Sequence, residues 1–116
     1  MELDRESKLL RIFIGESDKY DGQPLYEAIV FAAKKAGIAG ATVLRGVMSY
    51  GANSRIHTAK LLDLSADLPI VVEMVDHHDR IDDFLTTLRE MIESSGSGAL
   101  VTLERIEVLH YGARKG

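Results

Sequence analysis

Residues 69–98 read PIVVEMVDHHDRIDDFLTTLREMIESSGSG, and their order decides the fold. Ile70-Val71-Val72-Glu73-Met74-Val75 is the strongest strand pattern in the chain, a β-branched run opened by Pro69, which tolerates a strand start. Asp76 is the expected helix N-cap, and Asp79, Asp82 and Asp83 place negative charge near the positive helix end. Ile81, Phe84, Leu85, Leu88, Met91 and Ile92 recur with the helical period. Ser94-Ser95-Gly96-Ser97-Gly98 stops that helix. Leu100-Val101-Thr102-Leu103 and Ile106-Glu107-Val108-Leu109 then complete a strand–helix–strand unit, with a phase slip at Glu104-Arg105 that predicts a bulge or bend.

Upstream, the same unit occurs once more. Residues 1–8 are polar and read as a flexible lead-in. Leu9-Leu10-Arg11-Ile12-Phe13-Ile14, stopped by Gly15, is a strand whose apolar residues do not alternate strictly, as expected when both faces are covered. A polar loop leads to Pro24, which suits a first helical turn. Leu25, Ala28, Ile29, Ala32, Ala33 and Ala36 mark an amphipathic helix ended by Gly37, its alanines implying close approach to a sheet. Ala41-Thr42-Val43-Leu44 is the second strand, extending towards Met48. Lys60-Leu61-Leu62-Asp63-Leu64 reads as an opening of the third strand, interrupted at Ser65-Ala66-Asp67.

The resulting order, βαββαβ, predicts an α+β ferredoxin-like sandwich with a four-stranded antiparallel sheet and two helices on one face. The domain spans 9–111, and 112–116 form a tail. Two helices cover only one face, yet strands one and three read as apolar on both alternations. The second face then needs a cover from another subunit, which predicts an obligate oligomer.

Composition narrows the function classes. A chain of 116 residues holds one core. Hydrophobic content of 46% and charged content of 28% are those of a globular protein. A net charge of -4 argues against nucleic-acid binding, which relies on a basic face. The absence of cysteine excludes disulfides, thiol nucleophiles and cysteine-ligated metal centres. The charged start lacks a signal-peptide core, and no apolar run approaches the roughly 18 residues of a membrane span, so the cytoplasm is expected and membrane insertion is not.

Residues 40–68, GATVLRGVMSYGANSRIHTAKLLDLSADL, carry the functional expectation. They mix glycines, hydroxyls, cations and apolar residues, and long irregular segments inside compact domains are usually functional or disordered, so the functional expectation is placed here. Gly46, Gly51 and the loop between them either offer backbone N–H groups to an anion or form a hairpin connection. Arg45, Arg55, His57 and Lys60 either hold phosphate or an acidic partner, or are solvated or salt-bridged between subunits. His57 either senses pH or a ligand, or bonds the backbone. Ser95, Gly96, Ser97 and Gly98 form either an anion nest or a helix cap and turn. No phosphate-loop motif occurs. Glu16, Ser17, Asp18 and Tyr20 read as a turn held by side-chain–backbone bonds. Adjacent histidines in Asp76-His77-His78-Asp79 lack the spacing of helical metal ligands, so this run reads as a solvated helix start and no metal site is assigned. No catalytic residue is assigned either: an enzyme with His57 as general base rests on no spacing motif.

The segments Arg11-Ile12-Phe13-Ile14-Gly15-Glu16-Ser17-Asp18, Pro24-Leu25-Tyr26-Glu27-Ala28-Ile29, Gly37-Ile38-Ala39-Gly40-Ala41-Thr42-Val43-Leu44-Arg45-Gly46, Ile56-His57-Thr58-Ala59 and Leu64-Ser65-Ala66-Asp67-Leu68-Pro69 resemble a family of PII-like proteins catalogued as a domain of unknown function. The likeness covers about residues 9–111. It implies a PII-type fold, a homotrimer, and a signalling protein without catalysis or an obligatory cofactor. The implied ligand is small, an adenine nucleotide first, held in clefts between subunits by Thr42, Arg45, Gly46, Gly51, His57, Ser95, Gly96, Ser97 and Gly98. It also implies that loop 46–57 engages a protein target such as a membrane transporter. The likeness to PII proper departs at two places. Ala99 stands near the position of a phosphate lysine, and Leu109-His110-Tyr111 near phosphate arginines. Phosphate recognition wants those cations, so a nucleotide with fewer phosphates, another small ligand, or none remains open. A metal-binding trimer resembling the CutA group is the alternative, favoured by four histidines in a cysteine-free chain, and a structural trimer without ligand is a third.

Overall fold

The computed structural model describes residues 6–50, 57–58 and 68–115. The main elements are β1 (Ser7–Gly15), α1 (Leu25–Lys35), β2 (Ala41–Arg45), β3 (Pro69–His77), α2 (His78–Ser95) and β4 (Leu100–Ile106). The strands form one sheet in the order β2-β3-β1-β4, with every neighbouring pair antiparallel. This is the expected α+β arrangement of two helices on a four-stranded antiparallel sheet.

The core follows from the two periodicities. Leu10, Ile12 and Ile14 of β1 and Ile70, Val72 and Met74 of β3 point to the helices. They meet Leu25, Ala28, Ile29 and Ala33 of α1, and Ile81, Phe84, Leu88 and Met91 of α2. Both helices end where glycine accepts a left-handed backbone, at Gly37 (φ 84°) and Gly96 (φ 71°).

Three expectations need correction. Strand two stops at Arg45 rather than running to Met48. The ladder ends at Pro69: Gly46 N–H still donates to Pro69 O at 2.8 Å, but proline has no N–H to return a bond and carry the pairing further. Residues 48–49 instead begin a separate short ladder with 57–58. The last strand has no bulge: β4 stays in register with β1 through Glu104↔Leu9, Arg105↔Lys8 and Ile106↔Ser7, and residues 107–115 are irregular. As an edge strand it is half open on both sides, so its apolar residues need not keep one alternation. Asp76 is not the N-cap of α2; it is buried at the end of β3, and the His77 side chain caps the helix. The proposed strand opening at 60–64 lies outside the described residues.

The second sheet face is less uniformly apolar than the sequence reading holds. Its rows, by register, are Phe13, Val71, Leu44 and Leu100; then Arg11, Glu73, Thr42 and Thr102; then Leu9, Val75 and Glu104. The middle of that face is ionic. Arg11 Nε donates to Glu73 (2.8 Å) and a terminal guanidinium nitrogen donates to Glu104 (3.1 Å). The Glu73 hydrogen bond holds the Arg11 pKa above its ordinary value against lost hydration, with Glu104 assisting. The chain also supplies some cover of its own. The segment after β4 runs back to the opposite edge, where the Tyr111 hydroxyl donates to Ala39 O (3.2 Å). A cleft of about 680 Å³ lies beneath it, lined by Thr42, Val75, Ile106 and Leu109 among others.

Candidate functional site

Four strand ends meet at one end of the sheet: Gly15 of β1, Arg45 of β2, Pro69 of β3 and Leu100 of β4. Antiparallel pairing alone puts the β1–α1 loop, the exit to residues 46–57 and the α2–β4 turn side by side there. Short-range turn chemistry then fixes the loops. The Asp18 carboxylate accepts from Gly15 N–H at 2.9 Å, closing a tight turn, and Asp18 O accepts from Leu25 N–H at 2.8 Å. Glu16 N–H donates to Leu68 O at 2.8 Å. The reading of residues 16–18 as a turn held by side-chain–backbone bonds agrees with this geometry.

The same two carboxylates reach the candidate ligand groups. Glu16 forms an ion pair with Arg45. Asp18 Oδ2 accepts from the Ser97 hydroxyl at 2.7 Å. The Ser95 hydroxyl donates to Ile92 O (2.7 Å) and accepts from Ser97 N–H (3.1 Å). Residues 95–98 are therefore a helix cap and turn in this conformation, with both hydroxyls engaged. An anion arriving there competes with Asp18 for the Ser97 hydroxyl, and one arriving at Arg45 meets the Glu16 carboxylate already paired with it.

The remaining candidates are distributed unevenly. Gly46 sits beside Pro69 at this sheet end. His57 pairs with Ser49 and Thr58 with Met48, so the base of loop 46–57 is a two-residue antiparallel ladder. Gly51, Arg55 and Lys60 lie outside the described residues. Thr42 does not join Arg45: its row is that of Glu73, Arg11 and Thr102, one step from the ionic centre of the second face. Sequence reasoning missed the pairings of Glu16 and Asp18 with Arg45 and Ser97, because they join residues far apart in the chain. The Gly15-to-Asp18 spacing was the one local signal that an acid would be aimed at this end. It also missed a gathering of Glu6, His77 and His78 at the opposite end.

No helix among the described residues is long and apolar enough to cross a membrane. Comparison with solved structures places the fold. A nitrogen regulatory PII-like protein from Thiomonas intermedia K12, bound to ADP, AMP and bicarbonate, superposes with a TM-score of 0.60 at 16% identity, covering 88% of this chain and 89% of that one. The divalent ion tolerance protein CutA1 from Ehrlichia chaffeensis superposes with a TM-score of 0.54 at 12% identity, covering 93% and 86%. At these identities the likeness is one of fold. Sequence similarity goes further. A "UPF0166 protein" of Aquifex aeolicus is 40% identical over 105 residues, 90% of this chain and 95% of its own. The family model DUF190, described as "Uncharacterized ACR", matches residues 7–108. With a PII-like fold and a match over nearly its whole length, the chain belongs to the DUF190 family.

Proposed function

We propose that this protein is a PII-like regulator, a cytoplasmic homotrimer that binds a small anionic ligand, an adenine nucleotide first, at the sheet end that carries Arg45 and the 95–98 turn. A neighbouring subunit completes the cleft. The carrying observation is that two carboxylates, Glu16 and Asp18, already occupy Arg45 and Ser97. In this reading they hold the unliganded state. A phosphate replaces Glu16 at Arg45 and Asp18 at Ser97, which frees the β1–α1 loop and changes the exit of β2. Residues 46–57 leave from that exit, so their conformation responds, and a protein target such as a membrane transporter reads it. Ligand binding shifts the equilibrium only by its difference in affinity between the two states. The bound ADP and AMP of the Thiomonas PII-like protein support the ligand class. Few phosphates are favoured, since among the described candidate residues Arg45 is one cation against two acids, Glu16 and Asp18.

Isothermal titration with AMP, ADP, ATP and cyclic AMP tests the proposal. Saturable heat with at least one of them is expected. Glu16→Gln removes the competing charge and tightens binding several-fold, whereas Arg45→Gln weakens it. No heat from any of the four nucleotides overturns the nucleotide assignment.

A further inference from the structure

The opposite end of the sheet carries a separate constellation. Ser7 pairs with His77 in the β1–β3 ladder, so the residue before β1 lies beside the start of α2. His78 N–H donates to Glu6 O at 2.8 Å and fixes that approach. The Glu6 carboxylate then faces both imidazoles: Oε2 is 3.3 Å from His77 Nε2 and 3.7 Å from His78 Nε2. The ring centroids are 4.4 Å apart. Adjacent histidines diverge on one helix, but here His77 ends the strand and His78 begins the helix. The extended backbone at His77 (φ -57°, ψ 146°) brings the two rings together.

The other ring nitrogens also face acids. His78 Nδ1 is 3.1 Å from Asp79 Oδ1 and 3.8 Å from Asp82 Oδ2, and His77 Nδ1 is 3.7 Å from Asp79 Oδ2. Each imidazole is thus set between Glu6 on one side and an outer carboxylate on the other. Metal-bound histidines show this pattern, because a carboxylate behind the ring fixes its orientation and raises its basicity. The spacing fits as well. Ligand atoms held at about 2.1 Å from a tetrahedral zinc ion lie roughly 3.4 Å from one another. The Glu6 oxygen is already at 3.3 Å and 3.7 Å from the two nitrogens. All three ligand atoms lie within 4.8 Å of one another.

We infer that Glu6, His77 and His78 bind one divalent transition-metal ion of the zinc type, with Asp79 as the outer carboxylate. Imidazole with carboxylate suits such ions and is a poor site for magnesium or calcium, which want oxygen throughout. Binding turns His77 Nδ1 from accepting Asp79 N–H (3.4 Å) to donating to the Asp79 carboxylate. Three protein ligands leave a coordination position over the adjoining cleft, which Glu6, Ser7, Lys8, His78, Asp82 and Arg105 line. The buried Ser7 hydroxyl has no hydrogen-bond partner among the described residues. This site is distinct from the Arg45 end of the sheet and stands or falls independently of the nucleotide proposal.

The test uses the full chain, stripped with a chelator and titrated with zinc chloride by calorimetry and by thermal melting. One zinc per chain is expected, with a rise in melting temperature, because an ion that binds only the folded state stabilises it. Glu6→Gln and His78→Gln should each weaken binding at least about tenfold and abolish the zinc-induced shift, with the metal-free circular dichroism unchanged. His57→Ala and His110→Ala should bind as the parent does. No zinc binding by the parent at millimolar concentration overturns the inference. So does undiminished binding by the Glu6 and His78 variants, or loss of binding in the His57 or His110 variant alone.

Discussion

Gly46 shows what a single residue can and cannot reveal in sequence. Its place after a strand and its smallness mark it as an exit point. The reason it must be small is Pro69, remote in the chain but next to it in the sheet. A Cβ built on Gly46 would lie 2.6 Å from the Pro69 Cγ, well inside contact. The proline ring is stiff and the two backbones are tied by Gly46 N–H to Pro69 O, so neither side can yield freely. Gly46→Ala is expected to cost about 1–3 kcal/mol, the usual range for overpacking, measured by urea unfolding. Gly40→Ala is the control, since a Cβ there meets nothing within 4 Å. Equal stability of the two variants would refute the close-approach account. Arg45 has the same character: its candidacy was readable from its type and position, but its occupation by Glu16 was not. Pairings of this kind depend on which strand ends the sheet brings together.

The strand-to-helix junction at residues 76–79 carries the next lesson. Sequence periodicity located both elements well, because each buries a single regular face: β3 alternates strictly in burial, and α2 buries Ile81, Phe84, Leu88 and Met91. It misassigned Asp76 because an acid before a helix resembles a cap. In the fold, Asp76 is fully buried on the helix-facing side of β3. Its carboxylate accepts from Ala39 N–H (2.8 Å) and His77 N–H (2.6 Å), and Arg80 lies 3.9 Å away. It therefore fastens the approach to β2 onto the end of β3. Asp76→Ala leaves those donors without their partner and should destabilise by about 1–3 kcal/mol, whereas Asp76→Asn keeps an acceptor and costs less. Chemical denaturation of both variants decides it; an alanine variant as stable as the parent would remove Asp76 from this role. The edge strand β4 escaped a correct reading for the converse reason, since exposure on both sides imposes no single period.

For the assembled molecule, the decisive surface is the sheet face away from the helices. By register this face is not uniformly apolar, and its chemistry is sharper than two apolar alternations would give. Phe13, Val71, Leu44 and Leu100 form an apolar row at the Arg45 end, bordered by the Arg11–Glu73–Glu104 ion pairs. Leu44 and Leu100 remain 47% and 58% exposed in the single chain. An apolar row rimmed by paired charges is what a self-associating face needs, with contact area from the first and register from the second. The row also lies beside the proposed ligand end, so association and ligand binding are coupled if a neighbour completes the cleft. Leu44→Glu tests this directly. The side chain is half exposed on an edge strand, so a charge there is tolerated by the monomer and not by an apolar contact. Analytical ultracentrifugation is expected to show the parent as a trimer and Leu44→Glu as a monomer with the same circular dichroism. The monomeric variant should also lose nucleotide binding while keeping zinc binding at Glu6, His77 and His78, whose ligand set comes from one chain. A parent that sediments as a monomer at micromolar concentration, or a Leu44→Glu variant that stays trimeric, would show that this face is not the contact.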